Sequence, residues 1–104
     1  MNNSKIFLSL AVYFFSFSSC SSSYEILNIM SYNIRLDVKS DGINQWDNRK
    51  EGIVSLIKEK RPDILGVQEA LPNQIEYLSK RLEEYGVIGE GRDGGDNGEY
   101  SAIY

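Results

Sequence analysis

The chain has 104 residues, enough for one domain, and its 41% hydrophobic and 25% charged residues are typical of a globular protein. The formal net charge is −4 at pH 7, and the basic residues are interleaved with Glu and Asp. This charge pattern disfavours nucleic acid as a substrate. One cysteine excludes an intramolecular disulfide and a thiolate metal cluster, and the absence of histidine removes the usual general base near neutral pH.

Residues 1–20 have the layout of a secretory signal peptide. A polar start with Lys5 is followed by an apolar run from Ile6 to Phe17, which is shorter than the roughly 20 residues that span a membrane. Small residues precede Cys20. We therefore predict a lipoprotein-type signal peptide over 1–19, lipidation of Cys20, a serine-rich tether over 20–24, and a membrane-anchored protein of the cell envelope. Ordinary cleavage near Cys20 is the alternative.

The next segment predicts a strand followed by a helix. Imperfect apolar alternation from Glu25 to Arg35 predicts a largely buried strand, and the polar residues of 37–44 predict a loop. A helix is expected from Trp46 or Asp47 to about Lys60. Asp47 could cap its first turn, and Trp46 is expected in the core. Pro62 ends this pattern, because the residue before a proline disfavours helical angles.

The remaining residues predict a second strand and helix, then two short strands. A buried strand is expected over 63–69, and Pro72 suits the first turn of a helix that ends at Gly86. Brief strands over 87–89 and 99–104 flank a glycine-rich turn, and Tyr104 is expected in the core. Alternating strands and helices predict an α/β domain in which helices cover the sheet.

Two polar residues stand at the ends of the first two long strands, where ligands gather in α/β sheets. Glu69 follows an apolar run and offers an oxygen ligand suited to Mg²⁺, which takes only one or two protein carboxylates. Asn33 offers an amide that could donate to a phosphate oxygen. The structural alternatives are that Glu69 pairs with Arg35 or Arg49, and that Asn33 only forms hydrogen bonds at the start of a loop.

Two other features are interpreted as structural. Arg35, Arg49 and Arg92 are expected to form solvated surface pairs of little energetic value. The glycine-rich turn over 91–98 lacks the Gly-Lys-Ser/Thr ending and does not open a helix, so it is not a phosphate-binding loop of the P-loop type.

Four segments together resemble the opening of the endonuclease/exonuclease/phosphatase family, and the resemblance spans Ile26 to Tyr104. It is strongest to exported bacterial members of lipoprotein type. The segments are MSYNIRLD at 30–37, WDNRK at 46–50, RPDILGVQEA at 61–70 and GRDGGDNGEYSAIY at 91–104.

The resemblance implies the N-terminal part of a two-sheet α/β sandwich and a hydrolase acting on a phosphate ester. It implies Mg²⁺, or Mn²⁺ in its place, as cofactor. Glu69 matches the metal ligand of the family, and Asn33 matches its active-site asparagine, which helps orient the phosphate and the metal. Both are therefore predicted as catalytic and metal-site residues.

Later segments of the family supply an Asp-x-Asn pair, another carboxylate and two histidines, which this chain does not contain. We therefore expect residues 25–104 to form an incomplete, truncated domain that is inactive by itself. The alternative is a non-catalytic surface lipoprotein or binding domain. The substrate is left open among sugar phosphates, inositol phosphates, phospholipid head groups and nucleotides, and the oligomeric state is not predicted.

Overall fold

A computed structural model describes residues 21–104. The predicted signal peptide and the predicted lipidation site at Cys20 lie outside the described residues. Within 21–104, no helix has both the length and the apolar character needed to cross a bilayer.

The described chain forms one four-stranded sheet in the order β1-β2-β4-β3. The strands are β1 (Ile29–Asn33), β2 (Ile64–Ala70), β3 (Ile88–Gly91) and β4 (Tyr100–Ile103). β1 and β2 are parallel, and α1 (Trp46–Lys60) forms the crossover between them. β4 pairs antiparallel with both β2 and β3. With α2 (Pro72–Arg81) after β2, the predicted α/β class and element order are confirmed.

The core lies between the helices and one face of the sheet. Val67 and Leu65 of β2 are fully buried, and alternate residues of β4 face the same way. Trp46 and Tyr104 are buried, as predicted. The full core consists of Ile34, Trp46, Ile53, Val54, Ile57, Leu65, Val67, Ala70, Leu78, Leu82, Tyr100, Ala102 and Tyr104.

The opposite face of the sheet is open. Ile29, Ile88 and Ile103 are 66%, 78% and 54% exposed on it. The prediction that the first strand is largely buried is therefore wrong for this face, because its residues have no covering layer within 21–104. The strand also begins at Ile29 instead of Glu25.

Both predicted helices form, but their ends differ from the predictions. Gln45 is the N-cap of α1, and Asp47 pairs with Lys50 at 2.6 Å instead of capping the helix. α2 ends at Arg81, five residues before Gly86, where Leu82 leaves helical angles and its side chain is buried. The segment Lys39–Asn44, predicted as a loop, forms a 3₁₀ helix.

Candidate functional site

A β-bulge places Glu69 away from the core. The pairing of β2 with β4 shifts between Gln68 and Ala70, so Glu69 is the extra residue. Its φ of 61° lies in the left-handed region, which costs a non-glycine residue about 1–2 kcal/mol. Val67 and Ala70, which flank Gln68 and Glu69, are both fully buried. The two consecutive polar side chains of Gln68 and Glu69 therefore leave the core face, which a regular strand would not allow.

The side chains of Asn33 and Glu69 are in direct contact. Asn33 Nδ2 donates a 2.7 Å hydrogen bond to Glu69 Oε1. Asn33 Oδ1 accepts from the backbone N–H of Arg35 at 2.9 Å, which fixes the orientation of the amide. The parallel register, with Asn33 opposite Gln68, brings the two strand ends together. The two residues predicted as site residues thus meet at one edge of the sheet.

The pair opens into a polar cavity of about 650 Å³. Three carboxylates and one guanidinium are part of its lining, so the lining is acidic overall. The sequence did not single out Glu90, Glu99 or Ser101. The β3–β4 register pairs Glu90 with Ser101, and Glu99 directly precedes β4, so the hairpin brings all three here. The lining residues are Asn33, Gln68, Glu69, Gly89, Glu90, Gly91, Arg92, Glu99, Tyr100 and Ser101.

Two glycines allow β3 to approach the rest of the hairpin closely enough to form the cavity wall. A Cβ on Gly91 would lie 1.8 Å from the carbonyl oxygen of Asn97, and a Cβ on Gly89 would lie 2.8 Å from Ala102 Cα. The glycine-rich turn therefore shapes the hairpin, and it does not open a helix, as predicted.

Of the three arginines predicted to form surface pairs, Arg35 and Arg92 do form ion pairs. Arg92 contacts Glu99 at 2.5 Å, and Arg35 contacts Asp41 at 2.5 Å. The hydrogen bond with Arg35 is the largest cause that lowers the pKa of Asp41, and the same bond raises the pKa of Arg35.

The prediction of a surface pair is wrong for Arg49. Its guanidinium donates to the backbone carbonyls of Ile34, Asn44 and Arg35, so it stabilises the turn that follows Asn33. No ion pair joins Glu69 to Arg35 or Arg49 in the described part of the chain, since Arg35 binds Asp41 and Arg49 binds carbonyls. The Glu69 carboxylate instead contacts an amide at the edge of the cavity.

These residues fit one part of a divalent-metal site. The Glu69 carboxylate offers hard oxygen donors, and the hydrogen bond from Asn33 orients it in the way that outer-shell partners orient metal ligands. Residues 21–104 contain no group of three His, Cys, Asp or Glu side chains that could hold a metal ion. Mg²⁺ commonly uses one or two protein carboxylates and fills its other positions with water and phosphate oxygens.

The chain is similar to solved structures of known fold. It is 40% identical to an endonuclease/exonuclease/phosphatase from Bacteroides vulgatus, with a TM-score of 0.70, covering 74% of this chain and 30% of that one. It is 37% identical to a mannosyl-6-phosphatase from Bacteroides thetaiotaomicron, with a TM-score of 0.71, covering 75% and 30%. It is 28% identical to a humanised TDP2 from D. rerio, with a TM-score of 0.59, covering 74% and 30%.

The chain therefore spans about 30% of the length of these structures. The comparison with curated proteins gives no match. Residues 30–104 match the model of the Endonuclease/Exonuclease/phosphatase family, and this range includes Asn33, Glu69 and the whole cavity lining. From the family match and the shared fold, we conclude that the chain belongs to the endonuclease/exonuclease/phosphatase family.

Proposed function

We propose that this chain supplies the part of the active site of a Mg²⁺-dependent phosphoesterase that contains Asn33 and Glu69. The contact between Asn33 and Glu69 on a strained bulge carries the proposal, because the bulge turns a carboxylate out of the core toward a polar cavity. Strain of this kind persists where surrounding structure enforces it, and it clusters at functional sites. Members of the family are generally dependent on a divalent metal.

In this proposal, Glu69 is the metal ligand and Asn33 orients it. The Asn33 oxygen already accepts the N–H of Arg35, while its Nδ2 group faces the Glu69 carboxylate. The amide is therefore best placed to hold the carboxylate and to help orient a phosphate beside it. When bound, Mg²⁺ would stabilise negative charge that develops on a phosphoryl oxygen.

We propose a small phosphate ester as the substrate, in preference to nucleic acid. Glu69, Glu90 and Glu99 give the cavity an acidic lining against a single arginine, and the whole chain carries a net charge of −4. A duplex-binding surface requires a basic footprint instead. Similarity to a mannosyl-6-phosphatase at 37% identity also favours a small substrate such as a sugar phosphate.

The proposed activity needs groups that this chain does not contain. The sequence has no histidine to activate an attacking water, and we propose that the 104 residues bind metal without turnover. Detectable Mg²⁺-dependent hydrolysis of a phosphate ester by the purified chain, lost in Glu69→Ala, would contradict this part of the proposal.

Metal binding tests the proposal directly. We expect Mn²⁺, used as a paramagnetic probe, to bind the purified chain weakly, and we expect Glu69→Gln to lower the affinity by about tenfold or more. Glu83→Gln is the matched control, because it removes the same charge from an exposed residue outside the cavity lining. A folded wild-type chain that binds no Mn²⁺, or equal losses in both variants, would favour the non-catalytic alternative.

We further propose export and anchoring of the protein to a membrane of the cell envelope through a lipid on Cys20. The leader-like composition of residues 1–20 supports this proposal. Labelled palmitate should be incorporated in the native host and lost in Cys20→Ala. Labelling that persists in this variant would refute lipidation at Cys20.

A further inference from the structure

We infer that Gln74 is a positioning residue, which holds together the two strand ends that carry Asn33 and Glu69. Gln74 is fully buried, and it is the only buried polar residue among residues 21–104. It lies in the first turn of α2, outside the cavity lining. Burying an amide is unfavourable unless its hydrogen bonds are satisfied, so its partners indicate its role.

All the partners of the Gln74 side chain belong to the turns that follow β1 and β2. Its Nε2 group donates to the carbonyl oxygen of Arg35 at 3.0 Å. Its Oε1 atom accepts from the N–H of Asp37 at 3.0 Å and from the N–H of Leu71 at 2.9 Å. One side chain thus links the turn after Asn33 to the turn after Glu69.

Helix capping accounts for only one of these bonds. The bond to the Leu71 N–H is the usual return bond from the third helical residue to the N-cap, but leucine has no side-chain acceptor to complete a capping box. The two bonds to the β1 turn contribute nothing to a helix terminus. Their effect is to fix the position of the β1 turn relative to α2 and the end of β2.

The bond to Arg35 acts on the site through a short chain of contacts. The N–H of Arg35 donates to Asn33 Oδ1, and the carbonyl of Arg35 accepts from Gln74. Arg35, in the turn after β1, has a φ of 59°, and Glu69, in the bulge of β2, has a φ of 61°, so a left-handed non-glycine residue lies at each strand end. Such conformations persist only when the surrounding structure holds them. Gln74 binds both turns, and it therefore helps maintain the 2.7 Å contact between Asn33 and Glu69.

The inference rests on the proposed function only where it concerns the metal, so two readouts are needed. The first is metal-free: the ¹⁵N–¹H signals of the Asn33 side-chain amide and of the Arg35 backbone in the purified chain. The second is Mn²⁺ affinity. In Gln74→Leu, we expect both NMR signals to shift toward the values of a solvated amide, and we expect Mn²⁺ affinity to fall by about tenfold.

Leu78→Ala is the control for a purely structural effect. Leu78 is also fully buried in α2, one turn later, but its side chain makes no hydrogen bond to either strand end. We expect Leu78→Ala to lower the unfolding midpoint at least as much as Gln74→Leu, while leaving the Asn33 and Arg35 signals in place. Equal shifts in both variants would overturn the inference.

Gln74→Glu keeps the test decisive if the leucine variant does not fold. Burial favours the neutral carboxyl, which can accept from Asp37 and Leu71 and still donate to Arg35. We expect the Asn33 side-chain amide signal of Gln74→Glu to lie close to its wild-type position. A signal at the position typical of a free amide would contradict the inference.

The two readouts separate the two ideas. If wild type binds no Mn²⁺ but Gln74→Leu shifts the Asn33 signal, the proposed function fails and the positioning role stands. If Glu69→Gln abolishes Mn²⁺ binding while Gln74→Leu changes neither readout, the positioning role fails and the proposed function stands.

Discussion

The two ends of the parallel β1–β2 pair use polar side chains in different ways. At the amino end, the backbone N–H of Asn28 donates to the carboxylate of Asp63 at 2.7 Å. The Asn28 side chain donates to the carbonyl of Lys60, the last residue of α1, at 2.9 Å. These polar side chains bond to the main chain and satisfy groups that secondary structure leaves unpaired.

At the carboxyl end, the polar side chains of Asn33 and Glu69 bond to one another beside a cavity. Asn33 also accepts from the backbone N–H of Arg35, whereas the main-chain carbonyls of Ile34 and Arg35 are bound by Arg49 and Gln74, which lie outside the strands. An asparagine and a carboxylate occur at both ends, so residue type does not separate the two roles. The two ends differ in which residues bind the main-chain groups. At the carboxyl end, Arg49 and Gln74 bind the carbonyls, so the Glu69 carboxylate is not needed there and can face the cavity.

Removing the arginine that supports the carboxyl end should have the largest effect. Arg49→Ala removes charged donors from the carbonyls of Ile34, Asn44 and Arg35, and we expect a loss of about 2 kcal/mol in the free energy of unfolding. Urea denaturation would measure it. Arg81→Ala is the control, because Arg81 also lies over an aromatic ring, 5.0 Å from the Tyr77 centroid, but its ion pair with Glu51 is exposed and 3.5 Å long. It should cost about 1 kcal/mol or less. Equal losses would mean that Arg49 is an ordinary surface charge.

A substitution at the amino end should weaken the fold without affecting the candidate site. Asn28→Ala removes the hydrogen bond to the carbonyl of Lys60, and we expect a loss of about 1 kcal/mol in urea unfolding. The side-chain amide signal of Asn33 and the Mn²⁺ affinity should stay at wild-type values. A change in either readout would show that the two ends are coupled, which would break the comparison.

The strain at Glu69 predicts opposite consequences for function and for stability. Its φ of 61° suits glycine, so Glu69→Gly should be more stable than Glu69→Ala by roughly 0.5–1 kcal/mol, although both remove the carboxylate. Thermal or urea unfolding of the two variants measures the difference directly. If alanine is the more stable replacement, residue 69 is unstrained, and the bulge gives no support to a functional role.

Periodicity predicted the order of the elements, and the strand-end acid and amide, together with the family resemblance of their motifs, predicted the candidate pair. The bulge was not predictable, because it depends on the register between β2 and β4, which are distant in sequence. Gln74 left a signal that was missed: it lies four residues before Leu78 and eight before Leu82, on the apolar stripe of the second helix. A glutamine on such a stripe indicates a buried polar contact. Its partners depend on how the two turns meet, and no local pattern encodes that.

The smallest expected effect concerns pH and the 3₁₀ segment Lys39–Asn44, which follows the β1 turn. The hydrogen bond from Arg35 lowers the pKa of Asp41, whose side chain is only 9% exposed. A carboxyl group with a lowered pKa in the folded chain stabilises the fold above its ordinary value near 3.9 and loses that contribution as pH falls through the lowered pKa. We therefore expect the Arg35 Nε–H signal to be unchanged between pH 7 and pH 5 and to move toward a free guanidinium in strong acid. In Asp41→Asn the signal should lie near the free value at every pH. The backbone N–H of Arg35 also donates to Asn33. If the Asn33 side-chain signal changes together with that of Arg35, Asp41 belongs to the network that supports the carboxyl end. If the Asn33 signal does not change, the network is confined to Gln74 and Arg49.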